Sequence, residues 1–240
     1  MKEPRSAAVP VIMVLLVVLG LANSPAQADE PIPSFDCKKA ATPVEKTICD
    51  DAFTSFRDGA LGKLCSGLVD SLTNRAREAL RRDQRTWLKA RDGACGKFRD
   101  IARAGCLNTL YDRRLRQLDR QMRRTGLGPA ARGLGSVAGI YSKRMTNFSG
   151  IITVVELPKD PAWVEISSVS GRSAHICMLS TGQTRRQGAT LVWCDSDEPK
   201  CQVNLTFEGR TARTKSNRAC RTYCGANGYF EDITYTKSGS

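Results

Sequence analysis

The stretch Leu80-Arg81-Arg82-Asp83-Gln84-Arg85-Thr86-Trp87-Leu88-Lys89-Ala90-Arg91-Asp92-Gly93-Ala94-Cys95 decides how the first half of this chain folds. Leu80, Gln84, Trp87, Leu88, Arg91 and Cys95 recur at steps of three and four, so they share one helical face, and Phe98 extends the line. Downstream, Leu107, Leu110, Tyr111, Leu115, Leu118 and Met122 repeat the pattern, with Gly105 as the break between the two helices. Upstream, Thr42-Pro43-Val44-Glu45 is a helix start. Thr42 caps the free N–H groups, Pro43 sits where no N–H is needed, and Glu45 bonds back. Ile48, Ala52, Phe56, Ala60, Leu64 and Leu68 follow at helical spacing, with Gly59 and Gly62 as points of interruption. Three or four antiparallel helices with short connections result.

From Gly139 the period changes to two. The runs 150–157, 163–167, 174–179, 190–194, 201–207, 211–215 and 230–236 read as strands, separated by turns at Gly171, Gly182, Gly188 and Gly209. Gly139-x-Tyr141 at the start and Tyr229-Phe230 through Tyr235 at the end are placed to pair and close the sheet. The predicted class is α+β as two domains: a disulfide-stapled helical bundle over 35–124, a Gly/Pro-rich linker over 125–136, and a Cys-rich antiparallel β-sandwich or small barrel over 137–240.

The amino terminus sets the compartment. Met1–Ala28 has basic Lys2 and Arg5, an apolar run from Val9 to Leu21, and a closing Ala26-Gln27-Ala28. That is the pattern of a secretory signal peptide, and its apolar run is shorter than the ~20 residues of a membrane span. No cysteine stands at the cleavage point, so a lipid anchor is not expected, and a periplasmic or secreted protein is. Outside the cytosol, cysteines become disulfides.

The ten cysteines divide five and five between the halves. The disulfide candidates are Cys37, Cys49, Cys95 and Cys106 in the helical half and Cys177, Cys201, Cys220 and Cys224 in the β half. Four cysteines allow three pairings, and sequence leaves them open. Cys65 and Cys194 are extras: either they bridge the halves, or each stays buried and reduced. Buried and reduced is preferred, because Cys65 falls on an apolar helical face. Oxidised cysteines cannot ligate zinc, so Cys220, Cys224 and the lone His175 are not read as a metal site. No cofactor is expected.

Several of these residues together resemble the LprI-type lysozyme-inhibitor domain. They are Phe35-Asp36-Cys37, Thr42-x-x-Glu45-x-x-Ile48-Cys49, Gln84-Arg85-x-Trp87-Leu88-x-x-Arg91-Asp92-x-x-Cys95 and Cys106-Leu107-x-x-x-Tyr111-x-x-Arg114. The resemblance implies a small stapled helical domain of exported bacterial proteins and, in the protein that names the family, inhibition of lysozyme. This chain departs from that protein in lacking a lipid-attachment cysteine and in carrying Cys65. Ala174-His175-x-Cys177 and Cys220-x-x-x-Cys224-Gly225-Ala226-Asn227-Gly228 resemble a β domain often found after it. Within the motif, Gln84, Arg85, Trp87, Arg91 and Asp92 are either a contact surface or a buried tryptophan with charges tying helix ends. The second reading is preferred, since a tryptophan on an apolar helical face is usually core.

The net charge is +13, and residues 29–135 carry 22 Lys/Arg against 14 Asp/Glu. Such a balance favours anionic partners, with Arg81, Arg82, Arg113, Arg116 and Arg120 as the candidate anion-binding face. No phosphate loop, nucleophile elbow or metal-spaced His/Glu set is present, so an enzyme is not expected. The aromatic interleaving of a single-stranded nucleic-acid binder is missing, and no nucleic-acid partner is expected. The leading expectation is a non-enzymatic envelope protein that binds a macromolecule, with lysozyme or a related glycan-cleaving enzyme as the sharpest partner. Its rivals are a binder of anionic envelope polymer and an accessory factor in envelope assembly. Animal-type lysozymes are basic, so long-range charge disfavours them and favours an acidic target. Asp195, Asp197 and Glu198 form a candidate acidic docking patch.

Overall fold

The computed structural model describes residues 33–127, 135–158, 162–172, 174–181, 184–194 and 201–238. The expected signal peptide, the middle of the linker and the acidic patch Asp195, Asp197 and Glu198 lie outside them. Four helices come first: α1 (Pro43–Asp50), α2 (Ala52–Ser71), α3 (Asn74–Cys95) and α4 (Asp100–Arg124). Nine strands follow: β1 (Gly139–Met145), β2 (Phe148–Val155), β3 (Trp163–Ser170), β4 (His175–Thr181), β5 (Arg185–Gln187), β6 (Thr190–Cys194), β7 (Gln202–Glu208), β8 (Thr211–Ser216) and β9 (Thr234–Lys237).

The start of α1 is a capping box. The Glu45 N–H donates to Thr42 Oγ1 at 3.1 Å, and the Thr42 N–H donates to Glu45 Oε2 at 2.8 Å. Those backbone donors, with that of Ala41, hold the Glu45 carboxyl below its usual range. The helical stretch beyond does not break at glycine. It breaks at Asp51, whose side chain accepts from the Thr54 N–H at 2.8 Å and caps α2, while Gly59 and Gly62 lie inside that helix. An Asx cap offers the backbone a non-helical partner that a mid-helix glycine does not. Likewise Gly105 lies within α4. The turn after α3 falls at Gly96–Arg99, which leaves Phe98 off the helix and 40% exposed.

The strands form one antiparallel sheet in the order β4-β3-β2-β1-β9-β8-β7-β6-β5. It is a curled half-barrel rather than two facing sheets. The first and last strands of the sheet join in its middle, where Tyr141 pairs with Lys237 and Ser142 with Thr236. The concave face is apolar from strand to strand, through Tyr141, Ile152, Ile166, Leu179, Trp193, Leu205 and Tyr235, all buried. The seven runs leave out the three-residue β5, too short to show alternation, and β1, of which the sequence marks only the Gly139-x-Tyr141 start, and the last run forms strand only from Thr234.

The convex face of β2 and β3 carries the helices. Val155, Leu157 and Trp163 belong to the same buried cluster as Phe56, Leu64, Leu107 and Leu118. Phe56 and Trp163 meet with ring centroids 6.2 Å apart. Gly67 of α2 faces Pro158 so closely that a Cβ there would come within 2.9 Å of the proline ring. The approach needs a residue without a side chain.

Disulfides close each region. Cys37 pairs with Cys49 and Cys95 with Cys106 in the helices. Cys177 pairs with Cys224 and Cys201 with Cys220 in the sheet. Cys65 and Cys194 are free thiols, both half-buried.

Candidate functional site

The family-motif residues converge inside the helical region. Arg114 of α4 is 2% exposed, and all three of its guanidinium nitrogens donate hydrogen bonds. It donates to Gln84 Oε1 at 3.0 and 2.9 Å, to Asp83 Oδ2 at 2.7 Å and to Gln117 Oε1 at 3.0 Å. Arg91 donates to the Tyr111 hydroxyl and to Asp92 Oδ1 at 2.8 Å. Tyr111 in turn donates to Asp58 Oδ1. Asp58 also accepts from the Ser34 N–H and hydroxyl, both at 2.6 Å. Trp87 lies between the two arginines, with guanidinium carbons 5.7 and 5.8 Å from its ring centroid, and meets Tyr111 edge-on. Burial and the Asp58 carboxylate both push the Tyr111 hydroxyl well above its usual pKa, so it stays a donor. Every strong group here is spent on a neighbour. The network sets the spacing of α2, α3 and α4, and of the motif only Arg85 and Asp92 lie on the exposed surface.

A second polar cluster joins helices to sheet. Arg57 of α2 donates to Asp112 Oδ1 of α4 and to Glu165 Oε2 of β3, each at 2.8 Å. Glu165 is 2% exposed, and its other oxygen has no partner among the described residues. Burial pushes its carboxyl up to about 7, with Arg57 pulling the other way and Asp112 adding to the rise.

Beside this seam runs a cleft of about 400 Å³. One wall is α4, with Arg116, Arg120 and Arg123 on one helical face. The opposite wall is β1 and β2, joined by Arg210 from the β7–β8 turn and by Lys237 of β9. Ala138, Ile140, Val154, Val155 and Leu115 supply its apolar surface. Gly139, at φ +143°, permits the lysine to lie across β1, since a Cβ there would come within 2.6 Å of Lys237 Cε. Asp119 accepts from Arg123 at 2.6 Å through Oδ2, while its Oδ1 is buried without a partner among the described residues. Burial raises the Asp119 pKa despite Arg123, and burial with nearby Arg123 lowers that of Lys237. The Thr153 hydroxyl is also buried without a partner among the described residues. The other acids of the cleft are committed: Asp112 to Arg57, and Glu156 to Arg186 at 3.0 Å and to Ser136 at 2.7 Å.

The five arginines of the sequence-based anion face therefore separate. Arg116 and Arg120 line the cleft. Arg81, Arg82 and Arg113 are exposed elsewhere on α3 and α4, and Arg82 makes a long 3.8 Å pair with Glu78. Arg210, Lys237 and Thr153 carried no signal in the sequence, because nothing local marks strand-end and turn residues as neighbours of α4. Cys65 lies against the helical core, and burial pushes its thiol up to about 11, away from reactivity. Cys194 contacts Arg185 at 3.7 Å. Among the described residues, no group of three or more His, Cys, Asp or Glu is placed to hold a metal ion.

Residues 37–118 match the family described as "Lysozyme inhibitor LprI". A Rhizobium meliloti (strain 1021) protein, "Uncharacterized protein R02472", is 30% identical over 138 residues, which is 48% of this chain and 95% of that protein. The chain belongs to the LprI family. No solved structure matches it. The matched LprI segment runs from the first disulfide to Leu118, so it includes α1 to α3 and most of α4, with the whole Arg91–Tyr111–Asp58 network. LprI is an inhibitor family, which suggests binding rather than catalysis. Its disulfides suggest life outside the cytoplasm, and no helix among the described residues is long and apolar enough to cross a membrane.

Proposed function

We propose that this LprI-family chain is exported and acts in the envelope as a non-enzymatic inhibitor that binds a lysozyme-class, glycan-cleaving enzyme. The observation that carries this reading is the family match over the stapled helical region. Physical chemistry supports it. Two short disulfide loops and a saturated buried network make α1 to α4 a stiff body, and a preorganised surface loses little entropy on docking. Because Gln84, Trp87 and Arg91 of the motif are turned inward, docking falls to exposed side chains, Arg85 and the other α3 arginines among them. With a net charge of +13, the preferred target is an acidic enzyme.

The test is enzyme-catalysed lysis of a cell-wall suspension, titrated with the oxidised protein lacking its first 28 residues, at low and high salt, using one acidic and one basic lysozyme. Near-stoichiometric inhibition of the acidic enzyme that survives high salt is the expected result. A second reading, coating of anionic envelope polymer by Arg81, Arg82, Arg113, Arg116 and Arg120, is favoured by the exposure of all five. It predicts inhibition of both enzymes at low salt only. No inhibition of either enzyme rejects the inhibitor reading for that pair.

A further inference from the structure

The turn between α3 and α4 holds apolar side chains out in water. Ile101, in the first turn of α4, is 89% exposed, the most of any large hydrophobic residue described. Phe98, three residues before it, is 40% exposed. Single apolar residues scattered on a surface are ordinary, so the case rests on how this pair is held. The Cys95–Cys106 disulfide ties the two ends of the turn. The Phe98 N–H donates to the Cys95 carbonyl at 3.1 Å. Arg103 reaches back to donate to the Phe98 carbonyl. Its other terminal nitrogen donates to the Pro43 carbonyl at 3.3 Å and to Thr47 Oγ1 at 3.2 Å, which pins the turn to α1. Asp100 sits at φ +47°, a left-handed backbone that a non-glycine residue keeps only where its surroundings impose it. A disulfide, an arginine and a strained residue thus fix a turn whose apolar side chains stay in solvent.

Charge surrounds the pair. Residues 96–103 carry Lys97, Arg99 and Arg103 against a single acid, Asp100. Lys97 and Arg99 are exposed and take part in no ion pair among the described residues, and Lys97 Nζ lies over the Phe98 ring at 5.5 Å. Arg81, Arg85 and Lys89, at steps of four on the exposed face of α3, carry positive charge along the helix toward the same end. The tip is a preorganised knob with an apolar centre and a cationic rim. A glycan-cleaving enzyme presents the inverse: a cleft with apolar surface for sugar rings and two carboxylates flanking the scissile bond. A lipid surface accepts Phe98 and Ile101 but must also take up Asp100, which lies between them in the chain. An enzyme cleft keeps water and polar groups within its reach. A flat anionic polymer meets the cations and leaves the apolar pair wet.

We propose, resting on the inhibitor reading above, that this turn is the inhibitory element. It enters the substrate cleft of the glycan-cleaving enzyme, where Phe98 and Ile101 cover the sugar-binding surface and Lys97 and Arg99 pair with the catalytic carboxylates. Inhibition is then exclusion of the glycan from its own site.

The test uses the oxidised protein lacking its first 28 residues and the acidic lysozyme. Lysis of a cell-wall suspension gives the inhibition constant. Calorimetry gives binding to the enzyme with and without saturating tri-N-acetylchitotriose, a saccharide that fills such clefts. Ile101→Asp and K97E/R99E each weaken inhibition by about tenfold or more, as loss of central anchors does, and leave the unfolding midpoint near wild type because the positions are exposed. The trisaccharide weakens binding of the wild type by about tenfold or more if the two share one cleft. Wild-type inhibition in both variants overturns the role of the turn and leaves the inhibitor reading standing with docking elsewhere. Binding indifferent to the trisaccharide overturns entry into the cleft. Loss of Ile101→Asp from vesicles of equal phosphatidylcholine and phosphatidylglycerol that hold the wild type, with inhibition unchanged, overturns the proposal in favour of a membrane anchor. No inhibition by the wild type overturns the inhibitor reading and this proposal together.

Discussion

The helical region and the curled sheet reach a closed core by opposite means. Inside the helices, charged groups are buried and tied to one another: Asp58, Arg91, Tyr111 and Arg114 form a network that spaces three helices. Inside the sheet the concave face is almost wholly apolar, and the buried Tyr235 hydroxyl has no partner among the described residues. The cross-links differ too. Helical disulfides close separations of 12 and 11 residues, while those of the sheet close 47 and 19. A small helical bundle has little apolar area, so paired charges fix its geometry, and local bridges lock its turns. A sheet assembled from distant strands gains more from cross-links of long reach.

The comparison breaks most readily at Asp58. Removing it leaves the buried Tyr111 hydroxyl without its acceptor and Arg91 with Asp92 as its one carboxylate, so Asp58→Ala should lower stability by about 3–5 kcal/mol. Chemical denaturation checks this, and a loss below about 1 kcal/mol would mean the network is dispensable. Next come the disulfides. In the chain-entropy account, opening Cys177–Cys224 by double replacement with alanine should cost about 4 kcal/mol, and opening Cys95–Cys106 about 3 kcal/mol. Paired denaturant titrations give the order directly, and a reversed order would remove the contrast in reach.

The seam gives a pH signature. Glu165 has a folded pKa of about 7, above its unfolded value, so the folded state binds the extra proton. Its contribution is fully present below the unfolded pKa near 4.5 and is lost as pH rises through about 7. Thermal midpoints should therefore decline over that window, and Glu165→Gln should flatten the decline. An unchanged slope in the variant would assign the titration elsewhere. Smallest of all is Tyr235→Phe. It deletes an unpartnered hydroxyl and should shift stability by less than about 0.5 kcal/mol or raise it, in contrast to Asp58→Ala.

Local signals were legible in the sequence and long-range ones were not. The capping box at Thr42 and Glu45 and the alternation of residues 163–167 depend on neighbours in the chain, and both elements form there. Breaks assigned to Gly59, Gly62 and Gly105 were misplaced, because glycine permits a break without requiring one, whereas the Asp51 cap enforces it. The cleft was half-visible. Arg116 and Arg120 share a helical face, but Thr153, Arg210 and Lys237 reach them only through the order β2-β1-β9-β8. Glu165 read as one alternating polar residue of a strand. Its burial against Arg57 follows from the packing of α2 and α4 on the convex face, which no local pattern encodes.

The account stands on helices and sheet being one packed body, since the Arg57–Glu165 pair and the cleft both belong to the seam. Equilibrium unfolding followed by two probes tests this most directly: far-UV helical ellipticity, and the fluorescence of Trp193 in the sheet core with Trp87 and Trp163 replaced by phenylalanine. One transition with the same midpoint by both probes is the predicted result. Two separated transitions would contradict it, making the seam a loose contact and the cleft a gap between independent parts.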